Sequence, residues 1–198
     1  MSLQVKKETG VVYDPVFLKI LEDIPGGVTI KTDRFPTTIK KIRKGALLNA
    51  DASSLGLYNI IKSVKLTATA ASNVTIMQIE PTDHLFKVGE FIHIYGATAG
   101  TIARVSATAI ALAGAQAHFD PATGTILYET ATIATATALY GADAVLRDTV
   151  EVRSGGVATL LDNIFAGAVV RGTVDESETP YFASVPDKVS LTDRMRFV

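Results

Sequence analysis

Between residues 67 and 137, strand-like runs of only four to six residues are cut off, one after another, by turn-forming residues. The runs lie at 74–79, 90–95, 101–106, 109–112 and 125–129. Between them stand Pro81-Thr82-Asp83, Val88-Gly89-Glu90, the segment 96–100 with glycine at both ends, and 120–124 with Asp120-Pro121 and Gly124. Runs this short exclude long helices. Their spacing predicts a small antiparallel barrel or sandwich. The block is also the least charged part of the chain, rich in Thr and Ala, as a sheet with little solvated edge requires. Residues 130–139, with Thr and Ala alternating around Ile133, are read as strand despite the helix propensity of alanine.

The flanking segments have the same style. Residues 57–66 alternate from Ile61 onward, as a half-buried strand does. ADAVLRDTVEV at 142–152 reads as a strand, and AGAVVRGTVDES at 166–177 as another. Two short helices are expected, VFLKILED at 16–23 and a segment around Leu160, Leu161, Ile164 and Phe165, whose apolar residues fall at helical spacing. The fold class is therefore mainly β with little helix.

The first 45 residues differ from the rest. Pro15, Pro25-Gly26-Gly27 and Pro36 interrupt them, and each proline removes a backbone donor and biases its predecessor to extended geometry. Val28 to Thr32 alternates as a short strand would. Residues 1–48 carry nine basic and five acidic side chains, a net +4, against −5 over the remainder. A basic, proline-broken leader on an acidic body reads as an extended arm that meets an acidic surface. Phe17, Leu21, Ile30 and Phe35 are its expected apolar anchors, and Lys40, Lys41, Arg43 and Lys44 its steering charges. The tail, 179–198, is read as loop and arm. The organisation expected is thus an arm over 1–45, a β core from 46–66 and 138–198, and an inserted β domain over 67–137.

Function classes narrow from the same residues. The chain has no cysteine, which removes disulfides, thiolate nucleophiles and Cys-based metal sites together. A net charge of −1 argues against bulk nucleic acid as a partner. No apolar window approaches the roughly 20 residues that span a bilayer, and no secretory signal is evident. His84 and His93 flank a turn with Glu90, yet neither HxH nor HExxH spacing is present, so a turn feeding a strand is the better account than a metal site. His118 stands alone in a loop. Ser53, Ser54 and Ser154 have no GxSxG elbow or evident base, and the acids Asp175, Glu176 and Glu178 cluster in a polar loop. No enzyme, cofactor or metal is expected. A carbohydrate- or host-binding β module of a fibre or surface adhesin, with Tyr58, Tyr95, Tyr128 and Tyr140 as its candidate residues, is the alternative, weakened by 7% aromatic content and the absence of Trp.

Two pairs of segments carry a resemblance. RKGALL at 43–48, then a polar turn and GLYNIIK at 56–62, resembles the opening of the head decoration proteins of tailed bacteriophages. ADAVLRDTVEV and AGAVVRGTV look like the paired strands of that family's body. The middle block, with HLFKVGEFI at 84–92 and TIARV at 101–105, is similar to the extra β domain of phage head fibre and capsid auxiliary proteins. The chain departs from the compact lambda-type decoration protein by its inserted block. The resemblance implies a structural virion protein on the capsid exterior, made in the host cytoplasm, stabilising the shell, with the major capsid protein as partner and a homotrimer as its own state.

Overall fold

The computed structural model describes residues 16–36, 39, 41–68, 75–80, 84–94, 100–114, 125–133, 139–152, 163–175 and 194–198. Among them every regular element is a strand: β1 (Phe17–Asp23), β2 (Val28–Ile30), β3 (Lys41–Ile42), β4 (Leu47–Ala50), β5 (Leu57–Ile60), β6 (Ser63–Lys65), β7 (Ile76–Gln78), β8 (Phe91–Ile94), β9 (Gly100–Ser106), β10 (Ala109–Leu112), β11 (Ile126–Thr130), β12 (Ala144–Leu146), β13 (Val150–Glu151), β14 (Ile164–Ala166), β15 (Ala168–Val174) and β16 (Met195–Phe197). The mainly β fold expected from the sequence is what the chain adopts.

Two curled sheets account for nearly all of it. The first has eight strands in the order β1-β15-β12-β4-β5-β2-β14, with β16 joined in parallel to β15. β14 runs into β15 through Gly167 alone, and β1 leads into β2 through Ile24-Pro25-Gly26-Gly27. These two links carry each end of the sheet back toward the other, so it curls into a half-barrel, with no ladder between β1 and β14 among the described residues. Inside the curl lie Val28, Ile30, Phe35, Ile39, Ile42, Leu48, Ile60, Leu146, Ala166 and Ala168. The bend between β1 and β2 needs glycine at position 27. Its φ is 73°, and a Cβ there would strike the Phe165 ring and the Ala166 carbonyl.

The second sheet has six strands in the order β6-β11-β8-β9-β10-β7. A bridge between Leu66 and Ile79 then links the continuation of β6 to that of β7, so this sheet closes on itself. Its interior is Val64, Leu66, Met77, Ile79, Phe86, Ile92, Ile102, Ile110, Leu112 and Leu127. Closure removes the exposed edges that strands this short would otherwise present. Gly89, with φ 90°, makes the turn that feeds β8. A third layer, Val16, Leu47, Ile61, Tyr128, Ala142, Val145, Val169, Val174 and Met195, packs the outer side of the first barrel against β11 of the second.

Several expectations are corrected. VFLKILED is strand β1, because its main chain is paired with β15 from Phe17↔Val174 to Asp23↔Val169, and long-range pairing overrides the propensity of so short a segment. Ile164 and Phe165 lie in β14 rather than a helix; residues 158–162 fall outside those described. The run 142–152 is two strands, β12 and β13, and 57–66 is likewise broken at Ile61-Lys62 into β5 and β6, which belong to different barrels. Most of residues 130–139 lies outside those described. The tail is not wholly an arm, since Met195 is buried and β16 extends the first sheet.

The largest correction concerns the leader. Residues 16–42 are no free arm: β1 and β2 are built into the first barrel, and β3 pairs with β13. Val16, Val28, Ile30, Phe35, Ile39 and Ile42 find cover in their own chain, whereas Leu18, Ile20 and Leu21 of β1 are left exposed. Residues 1–15 lie outside those described.

Candidate functional site

The chain passes from the first barrel to the second at Ile61-Lys62-Ser63 and returns after Glu129-Thr130. At these crossings the backbone is tied twice through Glu129: its amide donates to the Lys62 carbonyl (3.1 Å), and the Leu139 amide donates to its own carbonyl (2.9 Å). Around this seam the side chains form a buried ionic cluster. Lys62 and Glu129, each 2% exposed, are the two charged residues that are buried among those described. Arg34, from the loop after β2, ion-pairs with Glu129 and donates to the Tyr140 hydroxyl (2.6 Å), its guanidinium 5.3 Å from that ring's centre. Lys62 pairs with Glu90 and donates to the Arg34 carbonyl (2.7 Å). Glu90 also accepts from the Lys87 amide (2.8 Å), and Lys87 Nζ donates to the Asp33 carbonyl (2.9 Å).

Two positive and two negative groups balance here, which is what lets them sit away from water. The balance is imperfect. Glu129 Oε2 is buried and has no hydrogen-bond partner among the described residues. Burial pushes the Glu129 carboxyl up to about 7, against the pull of Lys62 and Arg34. Burial also lowers the Lys62 ammonium below its ordinary range, opposed by Glu129 and Glu90. Beside this cluster His93 Nδ1 lies 3.0 Å from the Tyr128 hydroxyl, and burial lowers the imidazole as well.

The residues expected to act in the arm are dispersed. Ile30 and Phe35 are 0% and 4% exposed inside the first barrel, and Phe17 packs against the layer between the barrels, so these three stabilise the fold and are not free anchors. Leu21 alone points outward, at 58% exposure. Lys41 and Arg43 are exposed at β3 and the turn after it, Lys44 is half-buried, and Lys40 falls outside the described residues.

Of the other candidates, His84 Nε2 lies 2.8 Å from the Ser106 carbonyl, while His93 is turned to Tyr128; each histidine has its own protein partner. Glu90, in the turn between the two histidines, neutralises Lys62. Ser53 Oγ and its amide both engage Asp51 in a local turn. Tyr128 is buried, Tyr58 and Tyr140 are half-buried, and Tyr95 and His118 lie outside the described residues. No group of three or more His, Asp or Glu among the described residues is placed to hold a metal.

Sequence reasoning missed the ionic cluster, whose members are spread from position 34 to 140. It also missed that β1 is an outward edge. Leu18 (53% exposed), Ile20 and Leu21 all stand in solvent on a seven-residue strand that, among the described residues, pairs with β15 on one side only. A groove of about 390 Å³ beside it is lined by Glu22, Val170, Arg171 and Arg194. No protein-family model, no curated protein and no solved structure matches this chain.

Proposed function

We propose that this protein is a structural virion protein that attaches to the outside of a phage head and stabilises it, performing no chemistry of its own. The observation that carries the reading is β1. Leu18, Ile20 and Leu21 are large apolar side chains held in water on an edge strand whose outer backbone groups have no strand beside them among the described residues. A strand of this kind is suited to pairing with an extended segment of another protein, where main-chain hydrogen bonds supply affinity and the alternate side chains specificity. Arg194 beside it favours an acidic neighbour, while Arg171 is paired with Glu22 at 3.8 Å. The contact is thereby shifted from a free leader to a strand held by the body. That needs less ordering on binding than a flexible arm would.

On this reading three copies around a three-fold position of the shell convert modest single contacts into a strong multivalent attachment. The test is co-sedimentation with undecorated shells of the particle that carries this protein. Ile20→Asp with Leu21→Lys is expected to weaken attachment at least tenfold, while Leu55→Ser, a change at a fully exposed apolar position on a loop, leaves it unaltered. Equal attachment by both variants would remove β1 from the contact. Light scattering gives the accompanying result expected, a trimer in solution; a monomer at working concentration would count against the capsid reading.

A further inference from the structure

The joint between the barrels is built around a carboxylate that its surroundings only half satisfy. One oxygen of Glu129 is held by Arg34, and Oε2 is buried with no donor among the described residues. The donors nearest to it are aimed elsewhere: Lys62 at Glu90 and the Arg34 carbonyl, Arg34 also at Tyr140, Lys87 at Glu90 and at the Asp33 carbonyl. These are the groups that face Glu129 from every element packed on it. Arg34 comes from the loop after β2, Lys62 from the crossing between β5 and β6, Lys87 and Glu90 from the turn before β8, and Tyr140 from the return crossing.

We infer that Glu129 is a proton-binding site built into the joint between the two barrels, and that losing its proton loosens that joint. An ionised carboxylate with a bare buried oxygen needs another donor, and water is the donor that an opening seam admits. Opening there strains the two backbone bonds that run through the same residue, from its amide to Lys62 and to its carbonyl from Leu139. With the proton on, the desolvation cost falls and the seam stays closed. The direction follows from linkage. A buried carboxyl raised toward neutrality binds its proton more firmly in the closed state, so this contribution to closure is full below the ordinary carboxyl value of 4.5, is lost as pH rises through about 7, and changes no further above that.

The full chain supplies the test. A carboxyl-carbon NMR titration is expected to give Glu129 a midpoint near 7. The amides of Glu129 and Leu139, corrected for intrinsic exchange, are expected to lose about tenfold in protection between pH 6 and pH 8, one power of ten being one proton-affinity unit. The Leu127 amide, inside the second barrel, is expected to hold its protection. Glu129→Gln removes the pH dependence of the joint amides. A titration midpoint in the ordinary carboxylate range, about 4.3, would overturn the inference. So would equal joint protection at both pH values in the wild type, a measurement that stands even where the variant fails to fold.

Discussion

His93 and Tyr128 face each other across the ladder between β8 and β11, the imidazole Nδ1 3.0 Å from the phenol oxygen and the ring centres 5.4 Å apart. Tyr128 belongs to the layer that packs one barrel on the other, so this pair sits against the same seam as the ionic cluster. Burial holds His93 below its ordinary range. The unfolded chain therefore takes up the proton first as pH falls. Stability from His93 is present above about 6.5 and lost below it. Urea midpoints of the wild type and His93→Gln at pH 7.5 and pH 5.5 are expected to converge toward the lower pH. The difference between the two proteins isolates His93, because Glu129 acts in the opposite direction over an overlapping range. A constant difference would show that His93 does not titrate in the fold.

Ile30 and Leu21 separate the two ways of reading the leader. Ile30→Ala removes a side chain with no exposed surface and is expected to cost about 3 kcal/mol in urea unfolding. Leu21→Ala touches an exposed position and is expected to stay within about 0.5 kcal/mol. If both leave stability unchanged, the leader is not part of the barrel.

The strands of the second barrel were legible because they are local: alternation and turn residues place β8, β9, β10 and β11 within a residue or two of the expected runs. The role of residues 16–36 was not. Prolines and basic charge mark a segment with few local contacts, and β1 and β2 have none; their partners are β15, β14 and β5. Periodicity also fails on VFLKILED, where apolar residues fit two helical turns as well as they fit a twisted, bulged strand. The ionic cluster was invisible for the same reason. Lys62 reads as the polar member of an alternating strand, and only the return of Glu129 from the far end of the insert makes it a buried counter-ion.

At Gly172 the backbones of β1 and β15 approach closely. A Cβ added there would run into the Lys19 carbonyl oxygen, with the Ile20 Cα 3.5 Å away. Neither neighbour is the flexible end of a side chain, so the strands must part. Gly172→Ala is expected to cost about 1–3 kcal/mol and to expose the β1 amides to exchange while those of β8 and β11 keep their protection. On the function proposed above, it also weakens shell attachment. Unchanged β1 exchange would mean that the ladder yields without opening.

Lys62 tests the cluster as a whole. It is the buried cation between Glu90 and Glu129, and Arg34, partly open to solvent, cannot serve both carboxylates. Removing one member of a buried set leaves an uncompensated charge, a change that costs roughly 3–5 kcal/mol. Lys62→Met keeps the volume and deletes the charge, so it is expected to lose about that much at pH 8. At pH 5.5 the loss is expected to be smaller, because Glu129, raised to about 7, then carries its proton and no longer needs a counter-ion. Adding Glu129→Gln to Lys62→Met at pH 8 is expected to recover part of the loss, giving a coupling above about 1 kcal/mol in the double-mutant cycle. A cost that is the same at both pH values, together with additive single changes, would mean that Lys62 and Glu129 are neighbours without being partners.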